Sequence, residues 1–449
     1  MPELAGRRVL VTGAGVSGRS AMNFLLDRGA HVVIADRKAP ADLPDGVTVV
    51  DPGEPLPTGI ELVVTSPGWR PDSPLLVAAG RAGLEVIGDV ELAWRADRAA
   101  PRPWLAVTGT NGKTTTIGMV ASILHAAGRR AVASGNVGLG ILDAVSAVPP
   151  HDVIAAELSS FQLEYSGSLR PTAGAVLNLA EDHLDWHGSM TAYGAAKAKA
   201  LVGVVAIAVV DDDNAARLLA ASPAPRKVPV TAAQPPPGGL GVRAGMLVDD
   251  AFGAGNLLPA NVIRPAGQHN VTNALTAAAL CLSLGITGAQ VAAGLSAYEP
   301  GDHRNVVVAE YDGIRFVNDS KATNPHAARA SLLAYPRVVW IAGGQLKGAA
   351  IDDLVAEIAG RLAGVVLLGV DAPIIAAALH RHAPDVPIER VMGTDHRVMT
   401  EVVHAATALA RPGDVVLLAP AAASLDMFSS YGQRGTTFAE AVRSQGGAR

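Results

Sequence analysis

Along this chain, short apolar runs end in glycine-rich or polar loops, and stretches of helical spacing follow them. Arg8–Val11 leads into Gly13-Ala14-Gly15-Val16-Ser17-Gly18 and a predicted helix over Arg19–Leu26. Gly29 stops that helix, and a second run, His31–Ala35, ends at Asp36. Leu62–Thr65 ends in Ser66-Pro67-Gly68. Trp104–Val107 leads to Gly109-Thr110-Asn111-Gly112 and Lys113-Thr114-Thr115, then to apolar positions Ile117, Val120, Ile123 and Leu124 ahead of Gly128. Further strands are predicted at Val153–Ala156, ending at Glu157, and at Ala175–Leu179, running into Ala180-Glu181-Asp182-His183. Tyr193–Leu201 reads as a helix. Asp312-Gly313 reads as a hairpin turn between Val306–Ala309 and Ile314–Val317.

Strands alternating with helices predict an α/β fold built on parallel sheets. At 449 residues the chain exceeds one compact core and suggests three domains. These are a small Rossmann-like N-terminal domain (1–97), a central P-loop ATPase α/β domain (98–300) and a C-terminal Rossmann-like α/β domain (301–449). The stretch Ser222–Gly241, rich in Pro and Gly, reads as an excursion or linker.

Composition narrows the class. With 49% hydrophobic and 17% charged residues the chain is globular and not disordered. A net charge of −5 argues against a nucleic-acid binder, whose footprint is basic. The single cysteine, Cys281, cannot form an internal disulfide and fits a reducing compartment. The apolar run behind Arg7-Arg8 is too short for an export signal, and Leu201–Val210 is too short to span a bilayer. A soluble cytoplasmic protein, monomeric and without membrane insertion, is the expectation.

The motifs carry the chemistry. Strand, glycine loop, Gly-Lys-Thr and helix is the geometry that holds nucleotide phosphates: loop N–H groups and the helix N-terminus face the anion, and Lys113 adds a positive charge. Thr114 is placed to bind Mg²⁺. One departure from a Walker A loop is Val107, which stands where the motif's first glycine belongs. Glu157, on a strand tip, sits where a Mg²⁺ ligand is needed. His183 and His187 lie four apart but lack the Glu of a zinc motif and follow a strand, so one of them as a metal or phosphate ligand is the better reading. Lys197 and Lys199 point to different faces, so at most one enters the site.

The first glycine loop has the G-x-G-x-x-G form, with Asp36 about 20 positions on. It fits a nucleotide-diphosphate site, with Asp36, Arg37 and Lys38 near the base or ribose. An NAD site and a purely structural turn stay open as alternatives. In the last third, polar segments follow three apolar runs: Asn318 to Asn324, Gly343 to Lys347, and Pro420 to Asp426. Loops at the C-terminal ends of parallel strands form one crevice, and two lysines and an arginine there suit an anionic substrate.

Thr108 to Thr114, Glu157-Leu158-Ser159-Ser160, Asn178 to His183 and Gly267 to Asn273 together resemble the Mur ligases, the ATP-dependent amide-forming enzymes of peptidoglycan synthesis. The resemblance spans nearly the whole chain. Asn318 to Asn324, Gly343-Gly344 with Lys347, and Ser424-Leu425-Asp426 through Gln433-Arg434-Gly435 look like the member that adds D-glutamate. The resemblance implies ATP-dependent ligation of D-glutamate to the L-alanine carboxylate of UDP-N-acetylmuramoyl-L-alanine, through an acyl phosphate. The alternative within the family is a ligase adding another amino acid, such as L-glutamate. An NAD-dependent dehydrogenase and a nucleotide-hydrolysing regulator are the readings from other classes.

The resemblance also implies roles. Gly109 to Thr115, with Lys113 and Thr114 foremost, would hold ATP phosphates and Mg²⁺. Glu157 would ligate one Mg²⁺ and His183 a second, His183 also lying against the muramoyl substrate. Lys197 matches a lysine carbamylated by CO₂, whose carbamate helps position the metals. Asn136 would contact the muramoyl part, and Ser17, Asp36, Arg37, Lys38, Ser66 and Gly68 the UDP part. Asn273, Arg304, Asp319 and Lys321 would contact ATP. Lys321, Thr323, Lys347, Ser424, Leu425 and Tyr431 would bind D-glutamate.

Overall fold

The computed structural model describes residues 4–38, 42–98, 101–393 and 398–447. Its three α/β sheets are distributed over two compact units. One holds the chain up to Val262 together with Val271–Tyr298; the other holds Ile263–Asn270 together with the chain from Glu299 onward.

The first unit contains two sheets. Strands β1 (Arg8–Thr12), β2 (His31–Ala35), β3 (Thr48–Val50), β4 (Leu62–Thr65) and β5 (Val86–Gly88) form a wholly parallel sheet in the order β3-β2-β1-β4-β5. Val9, Leu10 and Val11 are all fully buried. A parallel sheet covered on both faces takes continuous apolar runs, as this sequence supplies.

The central sheet has nine strands: β6 (Trp104–Thr108), β7 (Ala133–Gly135), β8 (Ile154–Glu157), β9 (Ala173–Val176), β10 (Val205–Val209), β11 (Arg226–Val230), β12 (Leu240–Arg243), β13 (Met246–Asp249) and β14 (Gly255–Pro259). Their order is β14-β13-β12-β11-β10-β9-β6-β8-β7, and only the β12-β13-β14 end is antiparallel.

Three expectations shift here. Ser222–Gly241 is no linker, because it contains β11, which pairs in parallel along β10 and buries Val228 and Val230. Pro229 is tolerated because β12 meets β11 at a single register pair, Val230 with Leu240. The strand expected at Ala175–Leu179 is Ala173–Val176, since Leu177 and Asn178 have already turned toward the phosphate loop. The helix expected over Tyr193–Leu201 starts at Met190, capped by Ser189, and tightens into a 3₁₀ turn at Lys199–Leu201.

The first two sheets share one core. Trp104 packs edge-on against Trp94 at 5.4 Å between ring centroids, and its indole N–H donates to Asp97 at 2.8 Å. Ser168 donates to the buried Glu91 through both its hydroxyl and its amide.

The second unit carries β15 (Val306–Tyr311), β16 (Ile314–Asn318), β17 (Val338–Gly343), β18 (Leu362–Leu368), β19 (Ile388–Arg390) and β20 (Val415–Leu418), in the order β15-β16-β20-β17-β18-β19. All pairings are parallel except β15 with β16, which the Asp312-Gly313 turn joins. Both turn residues have positive φ, 53° and 73°, the conformation that makes Asp-Gly a hairpin signal. Alternate residues of β17 enter opposite cores: Val338, Trp340 and Ala342 on one face, Val339 and Ile341 on the other. Among the described residues no helix is long and apolar enough to cross a membrane.

Trp340 is fully buried and its indole donates to the Ala419 carbonyl at 2.7 Å. Trp340→Ala is expected to destabilise the protein by about 3–5 kcal/mol, read as a lower urea midpoint. An unchanged midpoint would contradict this packing.

Candidate active site

The phosphate loop is built by two strands. Val107 is interior to β6, fully buried and paired with Glu157 on one side and Ala175 on the other. The position that differs from a Walker A motif is therefore strand and not loop. Gly109 and Gly112 have φ of 152° and 85°, and a Cβ on Gly112 would fall 2.6 Å from the Asn273 side-chain oxygen. Asn273 thus lies directly against the loop.

From the end of β9, Asn178 clasps this loop. Its carbonyl accepts from Thr110 N at 3.0 Å and its side-chain oxygen from Asn111 N at 2.8 Å; its amide donates to Asn111 O at 3.2 Å. The Thr110 hydroxyl bonds the Ala180 amide and carbonyl and the Tyr193 hydroxyl. The Lys113 ammonium donates to the carbonyls of Gly109 and Thr110 at 2.9 and 2.8 Å, folding over the loop at the start of the helix Lys113–Ala126. Loop amides, helix N-terminus and lysine converge where an oligophosphate would sit.

Glu157 ends β8 beside the loop and is 1% exposed. Its Oε1 accepts from the Asn136 side-chain amide at 2.9 Å, while its Oε2 is buried with no hydrogen-bond partner. A buried carboxylate oxygen without a donor is the opening a divalent cation fills. Gly135 is obligatory next to it, because with φ of 101° a Cβ would lie 2.3 Å from the Glu157 carbonyl.

Lys197 is 2% exposed and donates to Gly109 O at 2.8 Å and to the Thr108 hydroxyl at 3.3 Å. Burial first, then the charge of Lys113, hold its ammonium well below the usual lysine range. Lys199 faces elsewhere and donates to the Glu164 carbonyl. Of the two lysines, only Lys197 meets the phosphate loop.

His183 has φ of 54° and pairs with Asp182 at 3.5 Å. Burial lowers its pKa, and nearby Lys113 and Lys197 push the same way. His187 hydrogen-bonds the buried Ser160 hydroxyl at 2.9 Å and stacks on Phe161; burial, with His183 and Lys197 adding to it, lowers its pKa to about 4. That partner already engages His187, which leaves His183 as the candidate ligand. Among the described residues no three His, Cys, Asp or Glu side chains form a ready metal cage. Mg²⁺ needs none, since one or two carboxylates plus substrate phosphates and waters complete its octahedron.

At the C-terminal edge of the first sheet, Asp36 accepts from the amides of Ala14 at 2.7 Å and Lys38 at 3.0 Å, and these bonds keep its carboxyl below the usual range. Gly18 packs so tightly that a Cβ would lie 1.8 Å from Gly13 O. Ser66 Oγ is buried without a partner, 3.0 Å from where a Cβ on Gly13 would stand. Ser17 is half-buried at the start of the helix Val16–Leu26, whereas Arg37, Lys38 and Gly68 are exposed on the same rim. Two bonds tie this rim to the central site: Tyr165 donates to Trp69 O at 3.1 Å, and Arg70 donates to Asp185 O.

In the second unit, the loops after β16, β17 and β20 meet around Arg434, which is 1% exposed. Its guanidinium donates to the carbonyls of Ser320, Gly343 and Ala422 and to the Ser320 hydroxyl, one residue touching all three loops. Lys321 lies 4.0 Å over the Tyr431 ring. Thr323 is half-buried, Ser424 is buried, Lys347 is exposed at φ of 53°, and Leu425 is 63% exposed. Asp319 is buried, accepts from Asn305 N at 3.1 Å and from the Ser331 hydroxyl, and has half-buried Arg304 as its nearest charge. Asn178, Tyr193, Ser160 and Arg434 carry no individual role in the sequence reading. Asn178, Ser160 and Arg434 do stand inside quoted motifs.

A strand-ended phosphate loop beside a buried carboxylate and lysine defines an α/β protein of the phosphate-loop, nucleotide-binding class, and comparison with known proteins narrows it. Residues 7–88 match the Mur ligase MurD-like N-terminal domain, 107–281 the Mur ligase middle domain, and 303–422 the Mur ligase, glutamate ligase domain. The chain belongs to the Mur ligase family. It is 52% identical to the UDP-N-acetylmuramoylalanine–D-glutamate ligase of Thermobifida fusca, over 99% of this chain and 100% of that protein. Identity to the Rhodococcus jostii protein of the same name is 51%, over 98% and 95%. Among solved structures, a MurF from Acinetobacter baumannii superposes with a TM-score of 0.62 at 18% identity, covering 98% of this chain and 92% of that one. The Thermotoga maritima MurF in complex with ADP gives 0.59 at 16%, covering 99% and 100%. At such identities these structures speak for the fold alone.

Burial raises the Asp319 pKa to about 6. The folded chain then keeps a proton that an unfolded Asp, near 3.9, releases, so this residue's stabilising contribution is full below about pH 4 and lost as pH rises through about 6. Asp319→Asn is expected to flatten the stability–pH profile between pH 4 and 7, measured by denaturant midpoints. An unaltered slope would refute the buried-acid account.

Proposed function

We propose that this chain joins D-glutamate to the L-alanine carboxylate of UDP-N-acetylmuramoyl-L-alanine, converting ATP to ADP and phosphate in peptidoglycan precursor synthesis. Identity above 50% over essentially the full length to ligases of that name carries the substrate assignment. The buried Glu157–Lys197 pair at the phosphate loop supports the chemistry.

A carboxylate does not condense with an amine at neutral pH, because its leaving group would be oxide. The alanyl carboxylate oxygen therefore attacks the γ-phosphorus and ADP leaves, giving an acyl phosphate. The D-glutamate amine adds to the acyl carbon, the tetrahedral intermediate collapses, phosphate leaves, and the nitrogen gives up a proton to become an amide.

Lys113 neutralises γ-phosphate oxygens during transfer, with Arg304 as the second cation. Gly109 to Thr115 and Asn273 orient the nucleotide, and Asp319 and Lys321 complete its contacts. Thr114, Glu157 and His183 are the residues that would hold two Mg²⁺ ions, which screen the phosphate charge and polarise the transferring group. Asn136 orients Glu157 and borders the muramoyl part. Ser17, Asp36, Arg37, Lys38, Ser66 and Gly68 form the UDP rim; Asp36 acts by bracing the Ala14 amide of the glycine loop and the Lys38 amide. Lys321, Thr323, Lys347, Ser424, Leu425 and Tyr431 receive D-glutamate.

Lys197 is the candidate carbamate. Its depressed pKa supplies the neutral amine that adds CO₂ and releases a proton, and the product turns a buried cation into an anion beside the metal position. Lys197→Ala is expected to lose most activity, with partial return in chloride or a small carboxylate, while Lys199→Ala keeps it. Full activity of Lys197→Ala would remove the assignment.

The function itself is tested by phosphate release from ATP, which is expected to require UDP-N-acetylmuramoyl-L-alanine and to turn over continuously only with D-glutamate. Release indifferent to both substrates, or an equal response to L-glutamate, would overturn the proposal.

A further inference from the structure

A cavity of about 610 Å³ opens at the opposite end of the central strands from the phosphate loop. Pro103 and Asp152 in its wall precede β6 and β8, whose far ends carry Gly109 and Glu157. Five residues of strand put roughly 16 Å between the two places. The cavity lies where the first sheet's helices meet the central sheet: Arg28 follows the helix Val16–Leu26, Asp97 ends the helix Asp89–Asp97, and Arg129 follows the helix Lys113–Ala126.

Its charge is unbalanced. Of the two carboxylates in the wall, Asp97 is taken by Arg102 at 2.8 Å and by the Trp104 indole. Asp152 is taken by the amide and guanidinium of Arg130, which stands outside the cavity. Arg28 and Arg129 are exposed, and among the described residues neither forms an ion pair with a carboxylate. Arg28 rests on the Phe24 ring and donates one N–H to the Phe24 carbonyl, which fixes its plane and leaves its other donors available. Pro103, Pro150 and the His151 ring supply an apolar wall, and the imidazole is kept neutral by burial and by the charges of Arg102 and Arg130. Two guanidiniums beyond ion-pair distance of any carboxylate among the described residues, lining one space of ligand size with Pro103 and Pro150, match an oxyanion carried on a flat apolar body; Asp27 and Asp152 act on them only from farther off.

We infer that this cavity is a second ligand site, separate from the ATP site, for a small aryl or heterocyclic phosphate whose phosphate is gripped by Arg28 and Arg129. Because Arg28 belongs to the first sheet's layer and Arg129 to the central one, an occupant bridges the two.

Phenyl phosphate is the probe, titrated calorimetrically into the full chain saturated with ADP, Mg²⁺ and UDP so that the nucleotide sites are filled. One saturable site is expected. Arg28→Ser/Arg129→Ser should weaken it at least tenfold, and Arg217→Ser, an exposed arginine elsewhere, should change it less than twofold. Inorganic phosphate should bind at least fivefold more weakly than phenyl phosphate. Absence of saturable binding, equal binding by the double variant, an equal loss in Arg217→Ser, or equal affinity for inorganic phosphate would each overturn the assignment. Should the double variant fail to fold, Arg129→Glu alone is titrated in its place: loss of phenyl phosphate binding is the expected result, and retained binding refutes the proposal.

Discussion

A lysine near the end of a helix and a glutamate at the end of β8 are buried beside the phosphate loop without bonding to each other, and the site is arranged around that constraint. Lys197 spends its hydrogen bonds on the Gly109 carbonyl and the Thr108 hydroxyl, while Glu157 has one oxygen held by Asn136 and the other unmatched. Taking two ionisable groups out of water without direct pairing costs several kcal/mol for each ion. Such an arrangement persists where a ligand or a change of charge state relieves it. The depressed lysine pKa is the visible half of that tension, and the orphaned carboxylate oxygen is the other half.

The same solution for holding loops recurs on all three sheets. In each, a buried or half-buried polar side chain fixes the backbone of the loop. Asp36 accepts from one amide of the first glycine loop, Ala14, and from the Lys38 amide of its own segment, Asn178 and Thr110 lace the phosphate loop to the end of β9, and Arg434 gathers carbonyls from three loops. The polarity follows the loop. Where amides converge, the brace is a carboxylate or an amide oxygen; where carbonyls converge, it is a guanidinium. Burial pulls the Arg434 pKa down to about 10, so it remains charged at neutral pH and its donors persist.

Much of this was legible in the sequence, for local reasons. Loop chemistry sits within a few residues of the strand that launches it, so Gly109 to Thr115, Gly13 to Gly18 and Asp312-Gly313 announce themselves. Helical spacing showed that at most one of Lys197 and Lys199 enters the site, and the family resemblance pointed to Lys197. The braces were harder to see because their meaning is long-range: Arg434 contacts Ser320 across more than a hundred residues of chain. Strand β11 was hidden by Pro229, a strand breaker made harmless by how little of β12 pairs beside it. The close approach of β7 to the Glu157 carbonyl was invisible too, since it depends on Gly135 lacking a Cβ.

Within the first unit, the shared core has a chemical consequence. Trp104 begins the strand that delivers the phosphate loop, yet its ring packs on Trp94 and its indole bonds Asp97, both from the layer of the first sheet. At the other end of that layer, the rim after β4 is bonded twice: Tyr165, from the helix after β8, donates to Trp69 O, and Arg70 donates to Asp185 O, two residues past His183. The first sheet is thus bonded to the central one toward both ends of β6. For a reaction in which a carboxylate must meet a γ-phosphorus in line, a misplacement on the ångström scale forfeits most of the rate. Packing the loop proposed to hold the UDP end against the layer that delivers the loop proposed to hold the phosphates is an economical way to place that carboxylate.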